Sequence, residues 1–361
     1  MRAWTWPLWL LLWTATLASA GEAPRPRLCV EYVPAIVYED EPISACVRIE
    51  GGQGEPAALK LAASLADAAG RELAAAEGKG SAAAPWRRQA EVRLERGSPA
   101  RLDLRLFQTG TALPVATVTL RVLSARSPLP PLKADGMGLA DEAGQRVLVR
   151  IEHRVFERDQ TWPLFRWLHY KMYGDGWVFR RALILGEDLG APRDGYLAQT
   201  AALLKGVAAT VVAVESASAD PAPPVFRAVA ALASAKLEAA PEAALVSLGH
   251  SDPDCGTDVR QFGLALELVV QQLEARGCKH FVFATPVGPS HLTKRLAPYA
   301  KAIGRVAFTY QARRCDLQRH LSDESWAEGG REARLVLRYP NAGGQRAMAE
   351  ALAAFLARCR R

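Results

Sequence analysis

Residues 181–190, RALILGEDLG, constrain the fold more than any other stretch of the chain. A short apolar run, 182–185, stops at Gly186 and is followed by Glu187, Asp188, Leu189 and a second glycine, Gly190. A buried parallel strand hands over to a loop and then a helix in this way. In open parallel sheets ligands bind just beyond the carboxyl ends of the strands. Glu187 and Asp188 are therefore expected where chemistry would be done. The plainer reading is a strand-to-helix turn whose acidic residues sit near a helix N-terminus, where negative charge is favourable.

From this stretch onward, strand-like and helix-like segments alternate, the pattern of a doubly wound parallel sheet. The predicted strands are 182–185, 210–214, 244–248, 280–284 and 306–309. The predicted helices are 196–204, 224–237, 259–276, 290–303 and 343–359. No GxGxxG or GxxxxGKT opens any of them, which argues against a dinucleotide or a P-loop nucleotide, and no cofactor is expected.

Upstream the chain reads differently. Residues 91–95 and 101–106 alternate apolar and polar with period two, and 28–33, 43–49 and 115–123 are strand-like between turn residues. Their spacing predicts an Ig-like or fibronectin-like β-sandwich over 27–124. The Ala-rich piece 57–76 reads equally as a helix by propensity or as a hairpin turning at Gly70. Nothing in this part carries a catalytic constellation, and it reads as a spacer or a partner-binding module. Residues 125–145, with SPLPPLK and several glycines, read as a linker, leaving 146–361 as the second domain. In that second part 162–173, WPLFRWLHYKMY, reads as an aromatic core stripe sealing the junction, with sugar stacking as the alternative.

The first twenty residues read as a targeting segment: Arg2, the apolar run 6–12, and a small-residue cleavage site at Ala18-Ser19-Ala20. The apolar run is too short for a membrane span, and an exported protein, periplasmic or extracellular, is expected. The net charge of +7 comes from scattered arginines, so nucleic acid is not expected as a partner. Six cysteines allow disulfides in an exported chain, with Cys29 and Cys46 the best candidates because both fall in predicted neighbouring strands. No CxxC or HxxxH spacing points to a zinc site, and no metal is expected.

Three blocks of the α/β part resemble the SGNH (GDSL-like) hydrolases. Gly186-Glu187-Asp188-Leu189 stands where that family has Gly-Asp-Ser-Leu. The run 243–252, AALVSLGHSD, resembles its apolar strand followed by Gly-x-Asn-Asp, and FVFATP at 281–286 its strand ending in Thr-Pro. YPNAGGQRAMA at 339–349 resembles its last block, His-Pro-Asn followed by glycine and a Met-Ala helix. The resemblance covers about 181–359 and implies a three-layer α/β/α, flavodoxin-like fold.

The resemblance also implies what has changed. The family's nucleophilic serine is Asp188 here, its basic histidine is Tyr339, and the acid three residues before that histidine is Val336. Its oxyanion-hole asparagine is Ser251, and the region of its second-block glycine, 214–218, has no glycine. Acyl transfer needs a nucleophile whose proton a base removes, and a phenol with a pKa near ~10 is a poor base at neutral pH. Losing one hole donor alone costs roughly a hundred- to a thousandfold. The ordinary ester-hydrolase mechanism is therefore expected to be absent. The expected role is binding a glycan, peptide or protein in a cleft formed by Glu187, Asp188, Leu189, Glu215, Ser218, Gly249, His250, Ser251, Asp252 and Tyr339. The alternative is a hydrolase rebuilt around Asp188, with Glu187, His250, Asp252 and Asp254 as its acid–base or cation-holding groups.

Overall fold

In a computed structural model of the chain the described residues are 27–41, 43–50, 58–67, 69–81, 88–92, 101–108, 112–114, 116–136, 138–154, 176–189, 194–215, 222–321, 325 and 339–360. The expected targeting segment, the aromatic stretch 162–173, Ser218 and Val336 lie outside them.

The described elements of the N-terminal part are all strands. Strands β1 (Arg27–Tyr32), β2 (Ile36–Tyr38), β3 (Ile43–Glu50), β4 (Ala58–Ala66) and β5 (Glu72–Ser81) come first. They are followed by β6 (Arg88–Val92), β7 (Arg101–Gln108), β8 (Ala116–Ser124), β9 (Leu132–Asp135), β10 (Gly138–Asp141) and β11 (Arg146–Ile151). One sheet has the order β1-β3-β6, and the other runs β5-β4-β7-β8-β11-β10-β9 with β2 also on β11. Alternate residues, Ala63 and Leu65 of β4, Leu102, Leu104 and Leu106 of β7 and Leu120 and Val122 of β8, share a core with Leu28, Val37 and Ile43. The Ala-rich piece is a hairpin, not a helix. Asp67 Oδ1 accepts the N–H groups of Ala69 and Arg71, and Gly70 takes φ +82°, so the turn chemistry outweighs alanine's helix propensity. β1 and β3 are neighbours, as expected, but their register sets Cys29 opposite Arg48 and Cys46 opposite Tyr32.

The stretch read as a linker is structured. β9 and β10 form a hairpin on β11, and Ala125, Leu129, Leu132 and Leu139 are buried. Its glycines mark turns: Gly136 and Gly144 take φ +53° and +80° at the ends of the hairpin strands. Leu129, between Pro128 and Pro130, and Leu132, just after Pro131, anchor the chain onto the α/β half.

That half is built on five parallel strands, β12 (Arg181–Glu187), β13 (Ala208–Val214), β14 (Ala243–Ser247), β15 (His280–Ala284) and β16 (Arg313–Cys315). Its described helices are α1 (Tyr196–Leu203), α2 (Pro224–Ser234), α3 (Val259–Glu274), α4 (Thr293–Thr309) and α5 (Ala342–Cys359). The three central strands, β12, β14 and β15, are apolar almost without interruption because both their faces are covered. Leu183, Leu185, Ala244, Val246, Phe281 and Phe283 share a core with α2, α3 and α4. Ala182, Ile184, Leu245, Val282 and Ala284 share another with α1 and α5. The first core also takes in Ile36, Leu129, Leu139, Val147, Val149 and Ile151, so the β9–β11 end of the long sheet packs against the helices.

The fifth strand is not at 306–309, which the sequence suggested; those residues end α4. Leu296, Tyr299, Ala302, Ile303, Val306 and Ala307 bury one helical face at spacings of three and four, and that period overrides the strand-like look of Val-Ala-Phe-Thr. The strand order β13-β12-β14-β15-β16 places the half's first strand between its second and third. This is the flavodoxin-like 2-1-3-4-5 order, whose switch point lies between β12 and β14. Among the described residues no helix is long and apolar enough to cross a membrane.

Candidate functional site

At that switch point β12 delivers Glu187 and Asp188, and β14 delivers the loop that begins at Leu248. Glu187 is fully buried. Its Oε1 accepts the N–H groups of Gly249 and His250, both at 2.8 Å, and its Oε2 accepts that of Ser251 at 3.0 Å. Three successive backbone N–H groups form a concave nest for an anion, and here the anion is the chain's own side chain. The nest needs Gly249 at φ +95°, where a Cβ would come within 2.8 Å of Phe262 Cζ. β12 and β14 approach so closely that a Cβ on Gly186 would stand 2.7 Å from Ser247 O.

Asp188 is also buried, with its N–H on Val214 O at 2.9 Å. The next residue, Leu189, takes φ +47° and is held by α5: Gln345 Nε2 donates to its carbonyl at 3.2 Å. The same amide's Oε1 accepts from Tyr196 N at 2.8 Å, so one side chain of the last block fixes both ends of the loop after β12. Asn341 caps α5 by accepting from Gly344 N at 2.8 Å, and Tyr339 lies half-buried against the core of α1 and α5.

His250 is buried, and both its ring nitrogens are engaged. Nδ1 accepts from Val287 N at 3.1 Å, which leaves the proton of the neutral ring on Nε2, 3.3 Å from Ser247 Oγ. Tyr196, fully buried, donates its hydroxyl to the same Ser247 Oγ at 2.9 Å, and its ring meets His250 edge-on. Burial holds the imidazole below its ordinary pKa, partly opposed by the charge of Glu187, and raises the phenol of Tyr196 above its ordinary range.

Asp252 turns away from these groups. It is fully buried, and its Oδ1 accepts from Thr257 Oγ1 at 3.0 Å and Val225 N at 3.4 Å, while Oδ2 has no partner. Burial, with the negative charge of Glu187 second, lifts its pKa well above the carboxylate range. Two buried guanidinium nitrogens of Arg227, Nε and Nη1, are likewise without a hydrogen bond. Asp254 is paired with Arg295 at 3.1 Å. The acidic groups expected to gather around Asp188 are thus spread over separate partners. Among the described residues no group of three or more His, Cys, Asp or Glu side chains is placed to hold a metal ion.

Of the expected cleft residues, Leu189, His250 and Ser251 line one shallow pocket together with Val287, Gly288 and Arg295. Glu187 and Asp252 are too buried to line it, a correction to the sequence expectation that follows from their backbone and hydroxyl donors lying inward. Glu215 is exposed at the end of β13. Sequence reasoning passed over Tyr196, Ser247 and Gln345. Ser247 is a polar residue in the apolar run 243–248, and that contrast was the available signal; Tyr196, after Arg193-Asp194-Gly195, and Gln345, beside Arg346, carry none.

No family model and no curated protein matches the chain's sequence. Solved structures similar to it include an acetylxylan esterase from Geobacillus stearothermophilus, 15% identical with a TM-score of 0.39, over 50% of this chain and 94% of that one. A member of the lipolytic protein G-D-S-L family from Veillonella parvula is 14% identical with a TM-score of 0.35, over 47% and 94%. Esterase EstA from Pseudoalteromonas sp. is 13% identical with a TM-score of 0.36, over 48% and 94%. Likenesses at these identities and scores say nothing about activity. The 2-1-3-4-5 strand order, with blocks 186–189 and 248–252 at its switch point and 339–349 opening the last helix, gives the α/β half of this chain an SGNH-like fold.

Proposed function

We propose that this is an exported SGNH-like protein that binds a glycan, peptide or protein partner at its strand ends without hydrolysing esters. The observation that carries the reading is His250: the imidazole at the switch point has one nitrogen on Val287 N–H and the other on Ser247 Oγ. A general base must offer a lone pair to the nucleophile, and this ring has none to offer in that arrangement. Asp188 in place of the nucleophilic serine and Tyr339 in place of the basic histidine support the same reading. The N-terminal sheets are read as an Ig-like or fibronectin-like β-sandwich serving as a spacer or a partner-binding module.

The test is turnover of the acetyl and butyryl esters of nitrophenol by the purified protein. No steady hydrolysis above background is expected. Hydrolysis that Asp188→Ala abolishes would establish the alternative, a hydrolase rebuilt around that carboxylate. Export is tested separately, by sequencing the N-terminus of the mature protein, expected at Gly21.

A further inference from the structure

A second cleft, of about 570 Å³, opens where β2 and the end of β11 meet α3 and α4. That volume is within the range of about 300–1,000 Å³ typical of small-molecule sites. Its floor is apolar, formed by Val259 and Leu264 of α3 and Ala302 and Val306 of α4. Between them α3 carries Gly263, whose added Cβ would meet nothing within 4 Å. Glycine is a poor choice inside a helix, and here no neighbouring atom requires it. What it leaves is open space in the floor of the cleft.

The walls are polar and fixed. One turn further along the same helix face, Glu267 accepts from the Tyr38 hydroxyl at 2.7 Å and from Tyr310 at 3.4 Å. The imidazole of His153 stacks on Tyr38, with centroids 4.2 Å apart, and its Nδ1 is 2.8 Å from Asp40. Arg154 lies over the Tyr310 ring at 4.9 Å and pairs with Glu274 at 2.8 Å, and Arg260 pairs with Glu41. Three of the four basic side chains are therefore already partnered by carboxylates. The fourth, Arg305, is exposed on the lip and has no hydrogen-bond or charge partner among the described residues.

We propose that this cleft binds a small organic acid, its carboxylate on Arg305 and its apolar body over Gly263 between the Tyr38–His153 stack and α4. A guanidinium fork suits a carboxylate better than any neutral group, and an apolar floor with room at Gly263 suits an aryl or alkyl body. The proposal is independent of the reading given to the strand-end site.

The probe is 3-phenylpropanoate, titrated against the full chain by ligand-observed NMR and thermal shift, with 3-phenylpropanamide and 3-phenylpropylamine as neutral and cationic counterparts. The acid is expected to bind in the millimolar range or tighter, and both counterparts at least tenfold more weakly. Arg305→Gln is expected to weaken the acid about tenfold or more. Gly263→Leu is expected to abolish binding by filling the floor, while Gly263→Ala keeps it and raises the melting temperature by relieving the helix of its glycine. Gly263→Ala also shows that the position tolerates a side chain if Gly263→Leu fails to fold. No saturable binding of the acid overturns the proposal. So does equal binding of the amide, or undiminished binding by Arg305→Gln.

Discussion

A carboxylate buried to the last atom is tolerable only if its charge is answered, and Glu187 is answered by three N–H groups of one loop. Removing the side chain leaves those donors unpaired, the two of Gly249 and His250 buried, at about 1–3 kcal/mol each. Glu187→Ala is therefore expected to cost more than about 3 kcal/mol in urea unfolding, where a surface glutamate would cost almost nothing. A loss under about 1 kcal/mol would mean that the loop re-pairs its donors elsewhere. His250 supplies a pH test. Burial depresses its folded pKa, so below the unfolded value of about 6.5 the unfolded chain takes up a proton that the folded chain refuses. The stability it contributes is complete above about pH 6.5 and is lost as the pH falls through the folded value. Urea midpoints are expected to drop between pH 7.5 and 5 in the wild type and to drop less in His250→Gln. Parallel curves would show that the ring is protonated where it stands. The sequence placed both residues at the strand ends but could not show their roles. Nothing in Gly-Glu-Asp-Leu reveals that its glutamate faces backbone donors sixty residues away.

At the level of elements, legibility followed period and length. β15 and the starts of α1, α2 and α3 fall where the sequence put them, because each is a largely apolar segment with a recognisable start. α3, for example, opens at Asp258, whose carboxylate accepts from Arg260 N and Gln261 N. The short β16, Arg-Arg-Cys, escaped notice because three residues with two charges carry no apolar signature. Glycine spacing was equally opaque. In the pair Gly343-Gly344 at the start of α5, a Cβ on Gly344 would overlap Ser325 O and stand 2.8 Å from Pro340 Cβ. A Cβ on Gly343 would meet only Asn341 Oδ1, at 3.3 Å. Gly344→Ala is accordingly expected to lower stability by about 1–3 kcal/mol or more through overpacking. Gly343→Ala is expected to fall within about 0.5 kcal/mol of the wild type or above it, since alanine favours the helix. Chemical denaturation of the two variants side by side checks this, and a Gly344→Ala variant as stable as Gly343→Ala would show that Ser325 gives way freely.

For the whole molecule, the composition of 125–145 suggested two bodies on a tether, and the packing joins them. Three glutamines of α3 grip the backbone of the β layer as a neighbouring strand would. Gln261 accepts from Ile36 N at 3.4 Å and donates to Ile36 O at 3.2 Å. Gln271 does the same with Glu152, at 3.0 and 2.9 Å. Gln272 accepts from Leu129 N at 2.7 Å and donates to the carbonyls of Ala125 and Ser127, both at 3.1 Å. On the outside Arg126 forks onto Glu39, closing the segment against the turn after β2. Buried polar contacts of this kind bind the layer to the helices beyond what the shared apolar core supplies. Trypsin is therefore expected to spare Arg126 and Lys133 in the native protein, and intrinsic fluorescence and far-UV circular dichroism are expected to report one coincident urea transition. Gln272→Ala sharpens the test. It strips partners from three backbone groups and is expected to lower the midpoint by about 3 kcal/mol in equivalent stability. In a single cooperative unit that loss shifts the whole transition and leaves its slope unchanged. If the β layer were a separate body, the same substitution would split the curve, with the N-terminal sheets and the parallel sheet unfolding at different urea concentrations.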